Sequence, residues 1–169
     1  MNGQALPLLW LLSDARNDAG LADALRALPR GSGFVFRHYH LDPPARRARF
    51  DELANLAREY GHTVILSGTE VWDADGHYGP PDRLGDGLRL ATAHNAEEMQ
   101  AAIGAGVDGI FLSPVYASAS HPGGATLGPM GFTVLAQQSP VPVIALGGMT
   151  RERATELGWP RWGAIDGLS

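Results

Sequence analysis

The sequence predicts an α/β fold, namely a shortened (β/α)8 barrel, and three observations lead to this prediction. Short apolar runs recur along the 169 residues without polar alternation, which is typical of parallel strands that are covered on both faces. Glycine, proline or polar residues bound each run, as they do at strand ends. Helical patterns lie between several runs, and strands that alternate with helices indicate βαβ units. The length suits one domain, and we expect residues 1–169 to form it.

Seven apolar runs are the predicted strands. They span residues 7–13, 33–39, 63–68, 88–94, 109–116, 141–148 and, more weakly, 162–169. The stretch "DADGHYGPP" at 73–81 has room for a short eighth strand. Eight strands predict the closed barrel, whereas a six- or seven-stranded doubly wound sheet is the alternative.

Helices are predicted from apolar spacing and from capping residues. Leu21, Leu25 and Leu28 are four and three residues apart, and Phe50 to Tyr60 carries one apolar face. The segment "GFTVLAQQS" reads as another helix. Two further helices are predicted from their starts, since Asn95 with Glu98 resembles a capping box and Thr150 precedes residues 151–157.

The chain is shorter than an ordinary barrel, which typically has about 250 residues. Residues 67–87 leave no room for full helices around the third and fourth strands, and no helical pattern follows the last strand. We therefore expect reduced helices in the first place and a missing helix in the second.

Composition narrows the classes of function. A net charge of −5 argues against a nucleic-acid surface, and "ARRARF" at 45–50 reads as the solvated side of a helix. The absence of cysteine excludes disulfides and thiolate metal sites. The apolar run "ALPLLWLL" is too short for a membrane span and lacks a basic leader, so we expect a cytoplasmic protein that binds no membrane.

Polar residues follow the predicted strands, where barrel enzymes carry their chemistry. They are Ser13, Asp14, Arg37, Tyr39, Ser67, His77, Asp82, Thr92, His94, Ser113, the loop 117–128, Gly147 and Gly148. The glycine pair precedes a predicted helix, so its N–H groups either hold a phosphate or only form a tight turn. Arg37 and Tyr39 are two residues apart and should both point into the barrel.

Several segments of the chain resemble the thiamine phosphate synthase and TenI family. "DGIFLSPVYASASHPGGATLGPMGF" and "SPVPVIALGGMT" are similar to the family's sixth and seventh strands. "LLWLLSD", "GFVFRHY" and "ATAHNAEEMQAAIGAGVDGIFLSPV" are similar to earlier family segments. The resemblance covers nearly the whole chain, is strongest over 88–150, and implies a (β/α)8 barrel of thiamine biosynthesis.

The resemblance also implies a set of site residues. The family's synthase couples hydroxymethylpyrimidine diphosphate to a thiazole phosphate and uses magnesium. Its phosphate- and substrate-binding positions correspond to Arg37, Ser67, Thr92, Ser118, Ser120, Gly147 and Gly148. The magnesium ligands are depleted, because Ser67-Gly68 replaces Asn-Asp and Asp82 remains as one weak candidate. His121 stands where the family has lysine.

This pattern favours a thiazole-phosphate enzyme of the TenI type, a tautomerase, with His94 and His121 as its catalytic residues. The resemblance implies a histidine on the fifth strand for that branch, although synthases also carry one, so a structural role for His94 stays open. We expect no required cofactor and a small-molecule partner, with homo-oligomerisation left open. The alternatives are a divergent synthase that uses Mg²⁺ and a non-catalytic barrel that binds a thiazole or thiamine phosphate.

Overall fold

The computed structural model describes residues 6–118 and 123–168, and its strands close into an eight-stranded parallel barrel in chain order. The strands are β1 (Leu9–Leu12), β2 (Gly33–Phe36), β3 (Thr63–Ser67), β4 (Gly76–Gly79), β5 (Leu88–Ala93), β6 (Gly109–Leu112), β7 (Val143–Ala145) and β8 (Trp162–Ala164). The register Leu9↔Trp162 joins β1 to β8 and closes the barrel. The predicted barrel is confirmed, including the short fourth strand.

Helices cover the barrel unevenly. They are α1 (Leu21–Ala27), α2 (Pro43–Glu59), α3 (Ala96–Gly104), α4 (Gly128–Gln137) and α5 (Arg151–Leu157), with 3₁₀ turns at Ala15–Gly20 and Pro81–Arg83. Between β3 and β5 the chain has only the second of these turns, and no helix follows β8 up to residue 168. This confirms the two predicted reductions. No helix in the described part of the chain is long and apolar enough to cross a membrane.

Alternation along the strands separates two apolar layers. Every second residue of a strand points into the barrel, and these buried side chains form one cluster that fills the interior: Trp10, Leu12, Val35, Ile65, Tyr78, Leu90, Phe111 and Ile144. The others pack against the helices. Trp10 contacts Phe111 edge to face at 5.5 Å, and its ring passes so close to Gly33 that a Cβ there would lie 2.2 Å from it. The interior is therefore packed solid below the mouth.

Two predicted helix caps are confirmed. The Asn95 side chain accepts a hydrogen bond from the N–H of Glu98 at 2.8 Å, so α3 begins directly after β5. The Thr150 hydroxyl accepts from the N–H of Arg153 at 3.1 Å and starts α5. Both caps thus set helix starts at the carboxyl ends of strands, the end at which barrel sites form.

The arginine cluster on α2 differs from the predicted solvated face. Arg46 has a side chain only 11% exposed, and it donates to the carbonyls of Arg37 and Ser67 at 2.9 and 2.7 Å. Its guanidinium also lies 5.2 Å from the ring of Trp72, a side chain in the loop between β3 and β4. Arg46 therefore ties α2 to the ends of β2 and β3, because a long side chain can bury its stem and still reach backbone acceptors.

Candidate functional site

A cavity of about 320 Å³ opens at the carboxyl ends of the strands. Six of the predicted site residues line it together: Arg37, Thr92, His94, Ser118, Gly147 and Gly148. They come from the ends of β2, β5, β6 and β7. This is the face at which (β/α)8 barrels place their chemistry, and the volume suits a small ligand.

The turn at Gly147 and Gly148 forms one wall of the cavity with the loop that follows β6. Both glycines have positive φ, 101° and 64°. The N–H of Tyr116 donates to the carbonyl of Gly147 at 3.0 Å. A Cβ on Gly147 would lie 2.5 Å from Pro114 Cα, and one on Gly148 would lie 2.4 Å from the carbonyl oxygen of Ala117. Glycine is therefore needed here for loop packing, whatever the turn binds.

Arg153 completes this wall, although the sequence did not single it out. It lines the cavity, and its Nη1 donates to the carbonyl of Gly148 at 2.6 Å. Its guanidinium lies 4.7 Å from the ring centroid of Tyr116, in cation–π contact. Arg153 sits in the first turn of α5, where no strand-end pattern points to it. A search of helix starts as well as strand ends would have found it.

His94 lies at the rim of the cavity with one ring nitrogen engaged. Its Nδ1 lies 2.9 Å from Oε1 of Glu98, and Nδ2 of Asn95 donates to the other carboxylate oxygen at 3.2 Å. A carboxylate only accepts, so Nδ1 carries the proton in this pair. In the neutral ring Nε2 then holds the lone pair that can take up a proton.

Arg37 enters the cavity from β2, as predicted. Its side chain is 15% exposed, and it donates through Nε to the carbonyl of Ser13 at 2.9 Å and through Nη2 to Asp14 at 3.2 Å. Tyr78 lies on the cavity floor nearby, where burial raises the pKa of its hydroxyl to about 12, against an opposing effect of Arg37. Its phenol therefore stays protonated and can donate to a ligand.

Arg16 and Asp166 also line the cavity, from the segments after β1 and β8, and neither was predicted. The guanidinium meets the carboxylate in two contacts, Nε to Oδ1 at 3.2 Å and Nη2 to Oδ2 at 3.0 Å. Hydrogen bonding to Asp166 raises the pKa of Arg16. Asp14 also reaches Arg16, at 3.3 Å. This side of the cavity holds charges of both signs that compensate one another.

Two of the described residues that were predicted for the site, Ser67 and Asp82, do not line this cavity. The Ser67 hydroxyl lies 2.6 Å from the Tyr39 hydroxyl, and Asp82 is exposed in the turn Pro81–Arg83. Ser120 and His121 fall outside the described residues. Tyr39 also departs from expectation, since it is 64% exposed instead of inward. β2 ends at Phe36, and His38 adopts a φ of 44°, so strand alternation no longer applies at Tyr39.

The described residues do not fit a magnesium site. No group of three histidine or carboxylate side chains with metal-binding geometry occurs within 6–118 and 123–168. Gly68 has no side chain to offer, and Asp82 stands alone. Magnesium prefers near-octahedral oxygen coordination, which one carboxylate does not provide.

The molecule is thus a parallel (β/α)8 barrel with its site at the carboxyl end of the strands, the class to which many biosynthetic enzymes belong. A family model described as thiamine monophosphate synthase, TMP-TENI, matches residues 84–159. The thiamine-phosphate synthase of Geobacillus kaustophilus is 27% identical, with 89% of this chain and 77% of that protein covered. That of Geobacillus thermodenitrificans is also 27% identical, with 88% and 76% covered.

A solved structure has the same fold. Thiamine phosphate pyrophosphorylase from Pyrococcus furiosus superposes with a TM-score of 0.75 at 19% identity, over 95% of this chain and 85% of that one. The chain is therefore similar to the thiamine monophosphate synthase and TenI family over residues 84–159 and to thiamine-phosphate synthases at 27% identity, and it shares the fold of the solved structure.

Proposed function

We propose that this chain, as one barrel domain of residues 1–169, binds a thiazole phosphate and interconverts its tautomers. One observation carries the proposal: a glycine turn, three arginines and a histidine whose Nδ1 is held by Glu98 line a single cavity. The turn Gly147–Gly148 and Arg153 suit the phosphate, because backbone N–H groups and guanidinium groups are its preferred donors. The thiazole ring would then extend toward His94.

His94 is the proposed acid–base group. A tautomerase removes a proton from one position of the ligand and returns one to another, so nothing else is consumed. Nε2 of His94 accepts the proton, while Glu98 holds Nδ1 and stabilises the imidazolium that forms. Thr92 lies on β5, two residues before His94, and lines the same cavity. It offers a hydroxyl for orienting the ring.

His94→Gln tests this mechanism. Positioned acid–base groups contribute about a hundred- to ten-thousand-fold in rate, so turnover of the thiazole carboxylate phosphate should fall by about that factor. Affinity for the phosphate should stay within a few-fold, because the phosphate contacts are elsewhere. His40→Gln is the matched control, since His40 is exposed and does not line the cavity. Both turnover and affinity are measured, the second by isothermal titration.

Two results would contradict the tautomerase. Unchanged turnover in His94→Gln would remove His94 from the mechanism. Tight binding of thiazole phosphate without turnover in the unmutated protein would favour a non-catalytic binding barrel, the third function considered above.

A divergent thiamine phosphate synthase is the second candidate. Two observations favour it: Arg16, Arg37 and Arg153 all line the cavity, and the relatives at 27% identity are named thiamine-phosphate synthase. Arginines neutralise the charge of a diphosphate leaving group. The test is release of diphosphate from hydroxymethylpyrimidine diphosphate and thiazole phosphate, with and without magnesium. Product formation that requires magnesium would put this candidate first.

A further inference from the structure

We infer that Arg153 selects phosphorylated ligands over their unphosphorylated alcohols, as the cation that binds the phosphate at the Gly147–Gly148 turn. This inference rests on the proposed function, because it assumes that a phosphate lies against that turn. It names a ligand-binding residue at the start of α5 that neither strand-end position nor family motif supplied.

The placement of Arg153 is the first argument. Nη1 donates to the carbonyl of Gly148 at 2.6 Å, and a Cβ added to Gly148 would lie 3.1 Å from the same nitrogen. The guanidinium is thus in contact with the backbone of the turn. A ligand that accepts hydrogen bonds in the turn would meet the cation without any rearrangement of the helix.

The way the side chain is held is the second argument. The guanidinium stacks 4.7 Å from the ring centroid of Tyr116, while Thr150 caps the helix turn that carries Arg153. Arginine normally loses side-chain entropy when it binds an anion. Here the two contacts already restrict the side chain, so less entropy is lost on binding.

Charge balance around the cavity is the third argument. Arg37 faces Asp14, and Arg16 faces both Asp14 and Asp166 within 3.3 Å. Among the described residues Arg153 has no carboxylate within ion-pair distance. Its positive charge is therefore the one that a ligand phosphate can neutralise at the lowest cost, since no existing ion pair must be broken.

Arg153→Gln tests the inference by isothermal titration with three ligands: thiazole phosphate, the corresponding unphosphorylated thiazole alcohol, and inorganic phosphate. Loss of a charge-assisted hydrogen bond should weaken binding of both phosphate ligands about ten- to a hundredfold. The alcohol should bind within about twofold of its original affinity, since it offers no charge. The salt dependence of thiazole-phosphate binding should become shallower.

Arg151→Gln is the matched control. Arg151 begins the same helix, is exposed and does not line the cavity. Its replacement by glutamine changes the net charge as Arg153→Gln does, but two residues away from Arg153. This control variant should bind all three ligands as the unmutated protein does. Arg153→Lys is the second variant, which keeps the charge without the planar stack on Tyr116. Its affinity for the phosphate ligands should fall between that of the unmutated protein and that of Arg153→Gln. Should the Gln variant fail to fold, Arg153→Lys and the salt dependence of the unmutated protein decide the question.

The outcomes separate the inference from the proposed function. If the unmutated protein binds neither thiazole phosphate nor inorganic phosphate, the proposed function fails. If it binds them and Arg153→Gln binds equally well, the inference alone is overturned. An equal loss for phosphate and alcohol would also overturn it, because Arg153 would then only support the loop. A loss confined to phosphate ligands supports it.

Discussion

At the scale of single residues, a buried histidine is linked to a serine and an aspartate beneath the mouth. Nδ1 of His38 lies 2.8 Å from the Ser13 hydroxyl, and Nε2 lies 2.5 Å from Asp18. The order of residue types resembles a hydrolytic triad, yet Ser13 is fully buried and accepts from the N–H of Arg37 at 2.7 Å. The network therefore fastens β1, β2 and the turn after β1 together, and in doing so positions Arg37.

This network should make stability depend on pH. Burial lowers the pKa of His38, although its hydrogen bond to the Asp18 carboxylate acts in the opposite direction. The folded protein therefore resists protonation of His38 at a pH near 6.5, at which the unfolded chain takes up the proton. The unfolded state then binds more protons. The free energy of unfolding should fall as pH drops from about 6.5 toward 5, by at most about 1.4 kcal/mol per pH unit. Urea unfolding at several pH values measures this slope.

Two variants identify the group responsible. His38→Gln should lose the slope, whereas His40→Gln should keep most of it, because His40 is exposed and makes only a lesser contribution to the lowered pKa of His38. Burial opposes ionisation of Asp18, but hydrogen bonds from His38 and Arg49 outweigh it and lower its pKa. Its contribution is lost only in more acidic solution, as pH falls through that lowered value. A slope that survives in His38→Gln would assign the effect to another group.

The residues of the site were only partly predictable from sequence. Gly147, Gly148 and Arg37 follow strands directly, so their position along the chain implies their place in the barrel. Arg153 and Asp166 reach the cavity from the first turn of a helix and from the segment after the last strand, where residue type alone indicates nothing. Arg153 lies well past the end of β7, and Asp166 lies within the run 162–169 that was predicted as a strand, so neither stood at a predicted strand end.

At the scale of elements, the helix caps divide into those near the cavity and those remote from it. Asp42 caps α2 by accepting from the N–H of Ala45 at 3.0 Å and is exposed. Thr150 caps α5 and also lines the cavity. The same type of interaction therefore stabilises a helix in one place and borders the candidate site in the other.

Replacing each capping residue with alanine should separate these roles. Each change should lower the free energy of unfolding by about 1 kcal/mol, the usual cost of a lost cap. Thr150→Ala should also weaken binding of thiazole phosphate, because the cap positions Arg153, whereas Asp42→Ala should leave affinity unchanged. Urea unfolding and isothermal titration measure the two effects. If both variants bind thiazole phosphate as tightly as the unmutated protein does, Thr150 has a capping role only.

Capping residues also explain why the helices were predicted well. Asn95 and Thr150 mark helix starts whose positions match the predictions, because a side chain that accepts from the backbone three residues on has a recognisable sequence. The short 3₁₀ turn at Ala15–Gly20, which Asp14 caps, was not predicted. A turn of six residues carries too little apolar periodicity to be detected.

At the scale of the whole molecule, the barrel depends on close packing around Trp10. This side chain is fully buried, and its Nε1 donates to the carbonyl of Pro7 at 2.8 Å. Gly33 on β2 and Gly163 on β8 pass on either side of it without side chains. The indole thus occupies space that Gly33 leaves open, while Gly163 lets β8 pass close to the Cβ and backbone of Trp10.

Gly33→Ala should accordingly destabilise the protein. The added Cβ would lie 2.2 Å from the indole, and overpacking of this kind costs about 1–3 kcal/mol. Gly104→Ala is the control, since a Cβ there has no neighbour within 4 Å, and a helix gains up to about 1 kcal/mol from the change. Thermal and urea unfolding compare the two. A neutral Gly33→Ala would mean that Trp10 can move aside.

The loop between β3 and β4 carries the consequence of the reduced helices. The ring of Trp72 in this loop lies 5.5 Å from the ring of Phe50 of α2, and the guanidinium groups of Arg46 and Arg47 each lie 5.2 Å from its centroid. A helix would spread such cover over several side chains, so that loss of one leaves the others in place. In this loop Trp72 supplies the aromatic cover by itself, and polar contacts supply the rest: Glu70 pairs with Arg46 at 3.0 Å, and Arg58 donates to the carbonyl of Asp73. In this region the short connection is therefore more sensitive to mutation than a covering helix would be.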